Sequence, residues 1–262
     1  MLVPGHVRLD RLCVDSAHCP SIADNRLPGR LKTLAIEHIV WDWNGTLFDD
    51  GPALVLATAD AFAAAGLPEV TPERFRDHFT RPITDFYEKL AGRPLTGAEQ
   101  AELDERFQLS YARRIAAATL HPDTVNALTT WHESGRSQSL LSMYPHELLV
   151  EMAQLSPIAA MLSRVDGTPG GGQHGKEPHL RSHLEHLDVD PGRVLVVGDN
   201  VDDVVAAQAC GAKGVLYHPG DTALLSMARA EGLAVPIASS LTGAVRLALT
   251  FVDEFSGGGH DT

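Results

Sequence analysis

Apolar and polar positions alternate with two different periods along this chain, and the change from one to the other divides it. Residues 39–41 form a short apolar run of the kind a buried strand presents. From 52 to 120 the pattern is helical throughout. An Ala/Leu/Val-rich stretch at 53–65 closes on Gly66, and Thr71-Pro72-Glu73 supplies an N-cap followed by proline at the first helical position. A segment at 85–90 ends at Gly92, and Thr96-Gly97-Ala98-Glu99 is a capping box that opens a long helix to about Ala118. Pro82 interrupts the block, because the residue before a proline, Arg81, is pushed out of the helical region.

Beyond His121 the pattern becomes mixed. A helix at 121–135 is followed by strands at 139–143, 161–165, 193–197, 214–217 and 235–238, with helices at 145–155, 177–187, 202–210 and 241–251 between and after them. Such alternation predicts an α/β fold, a Rossmann-like doubly wound parallel sheet with helices on both faces. The core comprises residues 36–51 and 121–252, and the all-helical block at 52–120 is inserted after its first strand. Residues 1–35 lack periodicity and read as a poorly ordered extension, and 253–262 as a flexible tail.

Composition narrows the function. The 262 residues carry a net charge of −13, with 44% hydrophobic and 21% charged residues, as in a globular protein able to bury a sizeable core. The acidic balance argues against nucleic acid, which needs a basic face, and against anionic membrane surfaces. It leaves room for a small phosphorylated ligand in a pocket where a few cations invert the local field. The three cysteines, Cys13, Cys19 and Cys210, fit no zinc spacing and suggest a reducing, cytoplasmic setting. No apolar run reaches membrane-spanning length, and no secretory signal is expected at the N-terminus. Oligomeric state is not legible.

Four positions carry candidate chemistry. Asp42 ends the first strand, where open α/β sheets bind ligands; the Asn44-Gly45 turn beside it is equally a hairpin signal. Ser142 ends the strand at 139–143, a place also taken by simple polar caps. Lys176 precedes a helix, where lysines are commonly solvated. It also closes Gly170-Gly171-Gly172-Gln173-His174-Gly175-Lys176, a match to a nucleotide-binding GxxxxGK loop, but Glu177 stands where that loop needs Ser or Thr for magnesium. Finally, the apolar run 194–197 ends in Gly198-Asp199-Asn200-Val201-Asp202-Asp203. Acids there complement a helix N-terminus, but a carboxylate such as Asp199 at the end of a buried strand is costly without a cation.

Taken in order, these residues resemble the motifs of the haloacid dehalogenase superfamily. Asp42-Trp43-Asn44-Gly45-Thr46-Leu47 is similar to its first motif, DxDGT(L/V), Ser142 and Lys176 to its second and third, and Gly198-Asp199 through Asp203 to its GDxxxD. The resemblance implies a phosphoglycolate-phosphatase-like, Mg²⁺-dependent phosphatase acting on a small phosphorylated metabolite. Asp42 would be the nucleophile, and Asp42, Asp199, Asp203 and the backbone carbonyl of Asn44 the metal ligands. Thr46, Ser142 and Lys176 would contact substrate. The block at 52–120 would be a cap, with Arg81 at its break facing the cleft. The chain departs from the motif at Asn44, where the family carries its general acid/base. An amide cannot exchange a proton at neutral pH, which implies a leaving group that needs no proton, another donor such as His78, or a protein that binds phosphometabolites with little or no turnover. A C–P bond hydrolase using Lys89, the one lysine of the block, is a further alternative; dehalogenases lack the acids at Asp199 and Asp203.

Overall fold

The computed structural model describes residues 35–169 and 175–250. The expected extension and tail, Cys13, Cys19 and most of the glycine-rich loop lie outside them. After strand β1 (His38–Trp41) come four helices, α1 (Gly51–Ala64), α2 (Pro72–His78), α3 (Ile83–Ala91) and α4 (Gly97–Ile115), with no strand among them. Their local signals act as read. The Thr71 side chain accepts from Arg74 N, Gly92 closes α3 in the left-handed conformation, and Thr96 and Glu99 form a reciprocal capping box. The four helices enclose their own apolar cluster, built on Phe62, Phe75, Phe86, Leu90 and Leu103.

The remainder alternates: α5 (Thr124–Glu133), β2 (Ser137–Pro145), α6 (His146–Gln154), β3 (Val165–Thr168), α7 (Lys176–Leu187), β4 (Val194–Gly198), α8 (Val201–Ala209), β5 (Lys213–Tyr217), α9 (Met227–Glu231), β6 (Ile237–Ala238) and α10 (Leu241–Thr250). The six strands form one sheet in the order β3-β2-β1-β4-β5-β6, every pair parallel. β1 and β4 are buried at every position, as strands covered on both faces must be. One face packs on Trp41, Leu128, Trp131, Leu195 and Val245, the other on Val40, Leu141, Leu180, Val196 and Ala207. The chain leaves β1 toward β2 on one side and takes up β4 on the other, so the strand order reverses beside β1. The crevice at that switch point is where such sheets bind ligands. Among the described residues, no helix is long and apolar enough to cross a membrane.

Some boundaries differ from the pattern. β2 begins two residues early because its polar start is internally bonded: Gln138 accepts from Trp41 Nε1 (2.9 Å) and donates to the Leu128 carbonyl (2.9 Å). Of the strand expected at 161–165, Met161 ends a 3₁₀ turn (Ala159–Met161), 162–164 are irregular, and β3 starts only at the last residue, Val165. As an edge strand, β3 needs no continuous apolar run. β6 shrinks to two residues after Pro236, which has no N–H for the ladder. The short α9 carries no signal in the pattern.

Candidate active site

Strands β1 and β4 deliver the first two acids side by side. Trp41 pairs with Val197, and the Asp42 backbone N–H donates to the Val197 carbonyl (2.9 Å), so Asp42 and Asp199 leave the sheet at neighbouring C-terminal ends. Asp203, in the first turn of α8, completes the group: carboxylate oxygens of Asp42, Asp199 and Asp203 all lie within 4.8 Å of one another. Two glycines make the approach possible. Gly45 has φ +74°, and a Cβ on it would stand 2.2 Å from Asp199 Oδ2; a Cβ on Gly198 would stand 2.1 Å from Asp203 Cγ. The parallel pairing of β1 on both sides removes the hairpin alternative for Asn44-Gly45.

Lys176, the first residue of α7, is buried, and its ammonium pairs with both Asp42 and Asp203. Asp203 serves two ends at once: one oxygen takes Lys176, while the other accepts from Asn200 N (3.0 Å) and caps α8. Burial pushes the Asp42 carboxyl up to about 6, against the pull of Lys176 and with added repulsion from Asp203. The Asp199 carboxyl is raised well above its ordinary value by burial and by Asp42, Asp203 and Asp50. Burial alone would lower the Lys176 ammonium, but Asp203 and Asp42 reverse the shift and keep it charged. One ammonium thus faces three clustered carboxylates. Oxygen donors with an excess of negative charge suit a hard divalent cation such as Mg²⁺.

Asn44 is held from three directions. Its Nδ2 donates to Asp50 Oδ2 (2.9 Å) and to Tyr111 Oη (3.2 Å), and its Oδ1 accepts from Ser142 Oγ (3.4 Å). Asp50 is fully buried and also accepts from Tyr111 Oη (2.6 Å) and Gly45 N (2.9 Å). Burial raises its carboxyl, and the donors from Tyr111, Asn44 and Gly45 oppose that rise. Asp50 and Tyr111 were not legible as site residues. Asp49-Asp50 reads as a break, and nothing in the spacing brings Tyr111 on α4 to the end of β1.

The cluster forms the floor of a cavity of about 350 Å³ whose lining includes Asp42, Asn44, Ser142, Lys176, Asp199, Asp203 and Arg81. Arg81 stands at the α2–α3 break and pairs with Asp202 (Nε to Oδ2 3.3 Å). Thr46 is fully buried, and its hydroxyl donates to Asp199 Oδ1 (3.4 Å). Lys89 is exposed in the last turn of α3, outside the cavity lining, which removes the C–P hydrolase alternative. His78, the fallback proton donor, bonds the Arg74 carbonyl (2.9 Å) and is also outside the lining.

The chain is similar to known phosphatases. Phosphoglycolate phosphatase of Vibrio vulnificus (strain YJ016) is 26% identical over 196 residues, covering 70% of this chain and 84% of that protein. N-acetylmuramic acid 6-phosphate phosphatase of Pseudomonas aeruginosa is 27% identical over 200 residues, covering 73% and 88%. Among solved structures, a haloacid dehalogenase-like family hydrolase from Streptococcus pneumoniae superposes with a TM-score of 0.69 at 18% identity, covering 81% of this chain and 98% of that one. Residues 36–211, from just before β1 to just past α8, match the haloacid dehalogenase-like hydrolases, and the chain belongs to that family.

Proposed function

We propose that this protein is a Mg²⁺-dependent phosphatase that works through an aspartyl-phosphate on Asp42, with a small phosphorylated metabolite as substrate. The observation that carries the reading is the buried group of Asp42, Asp199, Asp203 and Lys176 at the sheet's switch point. Above pH about 6 the Asp42 carboxyl is ionised and available as a nucleophile. Its oxygen attacks phosphorus while the ester or acyl oxygen departs with the bond's electron pair. Water then attacks the phosphorus of the aspartyl-phosphate, inorganic phosphate leaves, and the Asp42 carboxylate is restored. Lys176 and Ser142 stand where they offer hydrogen bonds to charge spread over the phosphoryl oxygens. Asp42, Asp199, Asp203 and the Asn44 carbonyl would hold Mg²⁺, which supplies neutralisation of phosphoryl charge. The helices α1 to α4 act as a cap over the cleft, with Arg81 at its mouth.

Asn44 supports a second reading, a phosphometabolite-binding protein with little turnover, because a missing general acid costs about 10²–10⁴ in rate. Phosphate release from acetyl phosphate, whose leaving group needs no proton, separates the two. Mg²⁺-dependent release by the wild type and none by Asp42→Asn is expected. Binding without release would favour the second reading, and release by Asp42→Asn would exclude Asp42 as nucleophile.

A further inference from the structure

The cavity that holds the acids has a second half, and the two halves differ in chemistry. Beside the acids its lining includes Leu54 of α1, Phe79 at the end of α2, Phe107 and Tyr111 of α4, Tyr144 of β2 and Leu148 of α6, with the Tyr111 hydroxyl reaching Asn44 and Asp50. Phe107 and Tyr111 stack, with ring centroids 5.5 Å apart and planes 13° from parallel. Five carboxylates also line the cavity, Asp42, Asp50, Asp199, Asp202 and Asp203, against two cations, Lys176 and Arg81, among the described residues. Both cations are engaged, Lys176 with Asp42 and Asp203, Arg81 with Asp202.

With Mg²⁺ and Lys176 set against Asp42, Asp199 and Asp203, and Arg81 paired with Asp202, a second anion beyond the phosphoryl group meets no unpaired cation among the described lining residues. An uncharged ring meets leucine and aromatic walls that desolvate it at little cost. The floor sets a separate requirement. Asn44 offers no proton to the departing oxygen, and its amide N–H groups are taken by Asp50 and Tyr111. Such a site favours a leaving group that is stable as an anion. A phenol, which ionises near pH about 10, meets that need far better than an alkyl alcohol.

From these two observations, and resting on the phosphatase reading, we infer that the site selects phosphate monoesters of an uncharged aromatic alcohol and rejects small esters that carry a second anionic group beside the phosphoryl group, of the phosphoglycolate type. The wall supplies the affinity for the ring, and the floor supplies the demand for a phenol-like oxygen.

The test is phosphate release by the full-length protein with Mg²⁺ from four compounds: acetyl phosphate, phenyl phosphate, benzyl phosphate and 2-phosphoglycolate. Acetyl phosphate reports on the phosphatase reading alone. Phenyl against benzyl phosphate holds ring size nearly constant and changes the leaving group, and kcat is expected to fall by about 10²-fold for benzyl. Benzyl phosphate against 2-phosphoglycolate compares two alkyl leaving groups, and KM is expected to be lower for benzyl by about ten-fold or more. Leu148→Lys, at a position already 48% exposed, adds a cation to the wall. It is expected to shift the ratio of kcat/KM for phenyl phosphate over 2-phosphoglycolate toward the latter. Cleavage of acetyl phosphate with 2-phosphoglycolate equal to or better than phenyl phosphate overturns the inference and leaves the phosphatase reading standing. An unchanged ratio in Leu148→Lys also counts against the wall's role. No release from any of the four removes the phosphatase reading and the inference with it.

Discussion

Asn44 shows how far a motif can be read without its neighbours. The departure from the family pattern is plain in the sequence, and it invites the substitution that would restore an acid. The structure changes what that substitution does, because Asp50 Oδ2 stands 2.9 Å from Asn44 Nδ2 in a buried setting. Asn44→Asp would exchange a charge-assisted hydrogen bond for two facing carboxylates, which cannot both ionise at that separation. It is expected to cost about 3 kcal/mol at pH about 8, seen as a lower Tm in thermal melts without metal. The double variant Asn44→Asp with Asp50→Asn, which returns one carboxylate and one amide to the pair, is expected to recover most of that loss. A single variant as stable as the wild type would mean that the pair is not coupled. Asp42 and Asp199 were legible as candidates because each directly follows a short, fully buried apolar strand, β1 and β4. Asp50 was not, since a carboxylate in a break looks solvated until its donors, Tyr111 above all, are known.

Between elements, a second polar assembly lies inside the sheet, away from the cleft. His38 of β1 contacts Ser137 Oγ through Nδ1 (2.7 Å) and Ser139 Oγ through Nε2 (2.7 Å). Ser139 Oγ also meets His183 Nε2 of α7 (2.7 Å), whose Nδ1 contacts Asp166 Oδ2 of β3 (2.7 Å). The chain of bonds ties β1, β2, β3 and α7 together and explains polar residues in otherwise apolar strands. Burial, and then the neighbouring His183, push His38 down to about 4. Burial also lowers His183, against the opposing pull of Asp166. With folded-state values below the ordinary one, the unfolded chain binds more protons once the pH drops below 6.5. Stability is therefore present above that pH and lost on acidification toward 4, by up to about 3 kcal/mol for His38. Urea unfolding across this range should show a steeper loss for the wild type than for His38→Asn; equal slopes would refute the assignment. Sequence patterning located the strands and α7 but not this assembly, because period and propensity say which residues face inward, not which partners they meet.

At the scale of the molecule, the sheet with its inserted helices was legible from alternation alone, since a parallel core demands continuous apolar runs separated by helices. What alternation hides is the cost of the site, a cluster of like charges held at the end of the two most buried strands. Protons and a divalent cation compete for those oxygens, and the Asp42 carboxyl, raised to about 6, sets the range of the competition. Well above that pH, Mg²⁺ is expected to stabilise the fold by about 2.7 kcal/mol at a hundred-fold excess over Kd, read as a higher Tm, and progressively less below it. Asp199→Asn should abolish the Mg²⁺ response while raising Tm in its absence, because one of the repelling carboxylates is gone. A retained response would mean that the cation binds elsewhere. The most direct measurement is of the bond at Asp42 itself. The protein is mixed with acetyl phosphate and Mg²⁺, quenched in acid during turnover, reduced with borohydride and digested for mass spectrometry. An aspartyl-phosphate is reduced to homoserine, so homoserine at position 42, absent from Asp42→Asn, is the expected result. Continued phosphate release with Asp42 unmodified, or homoserine at another position, would contradict it.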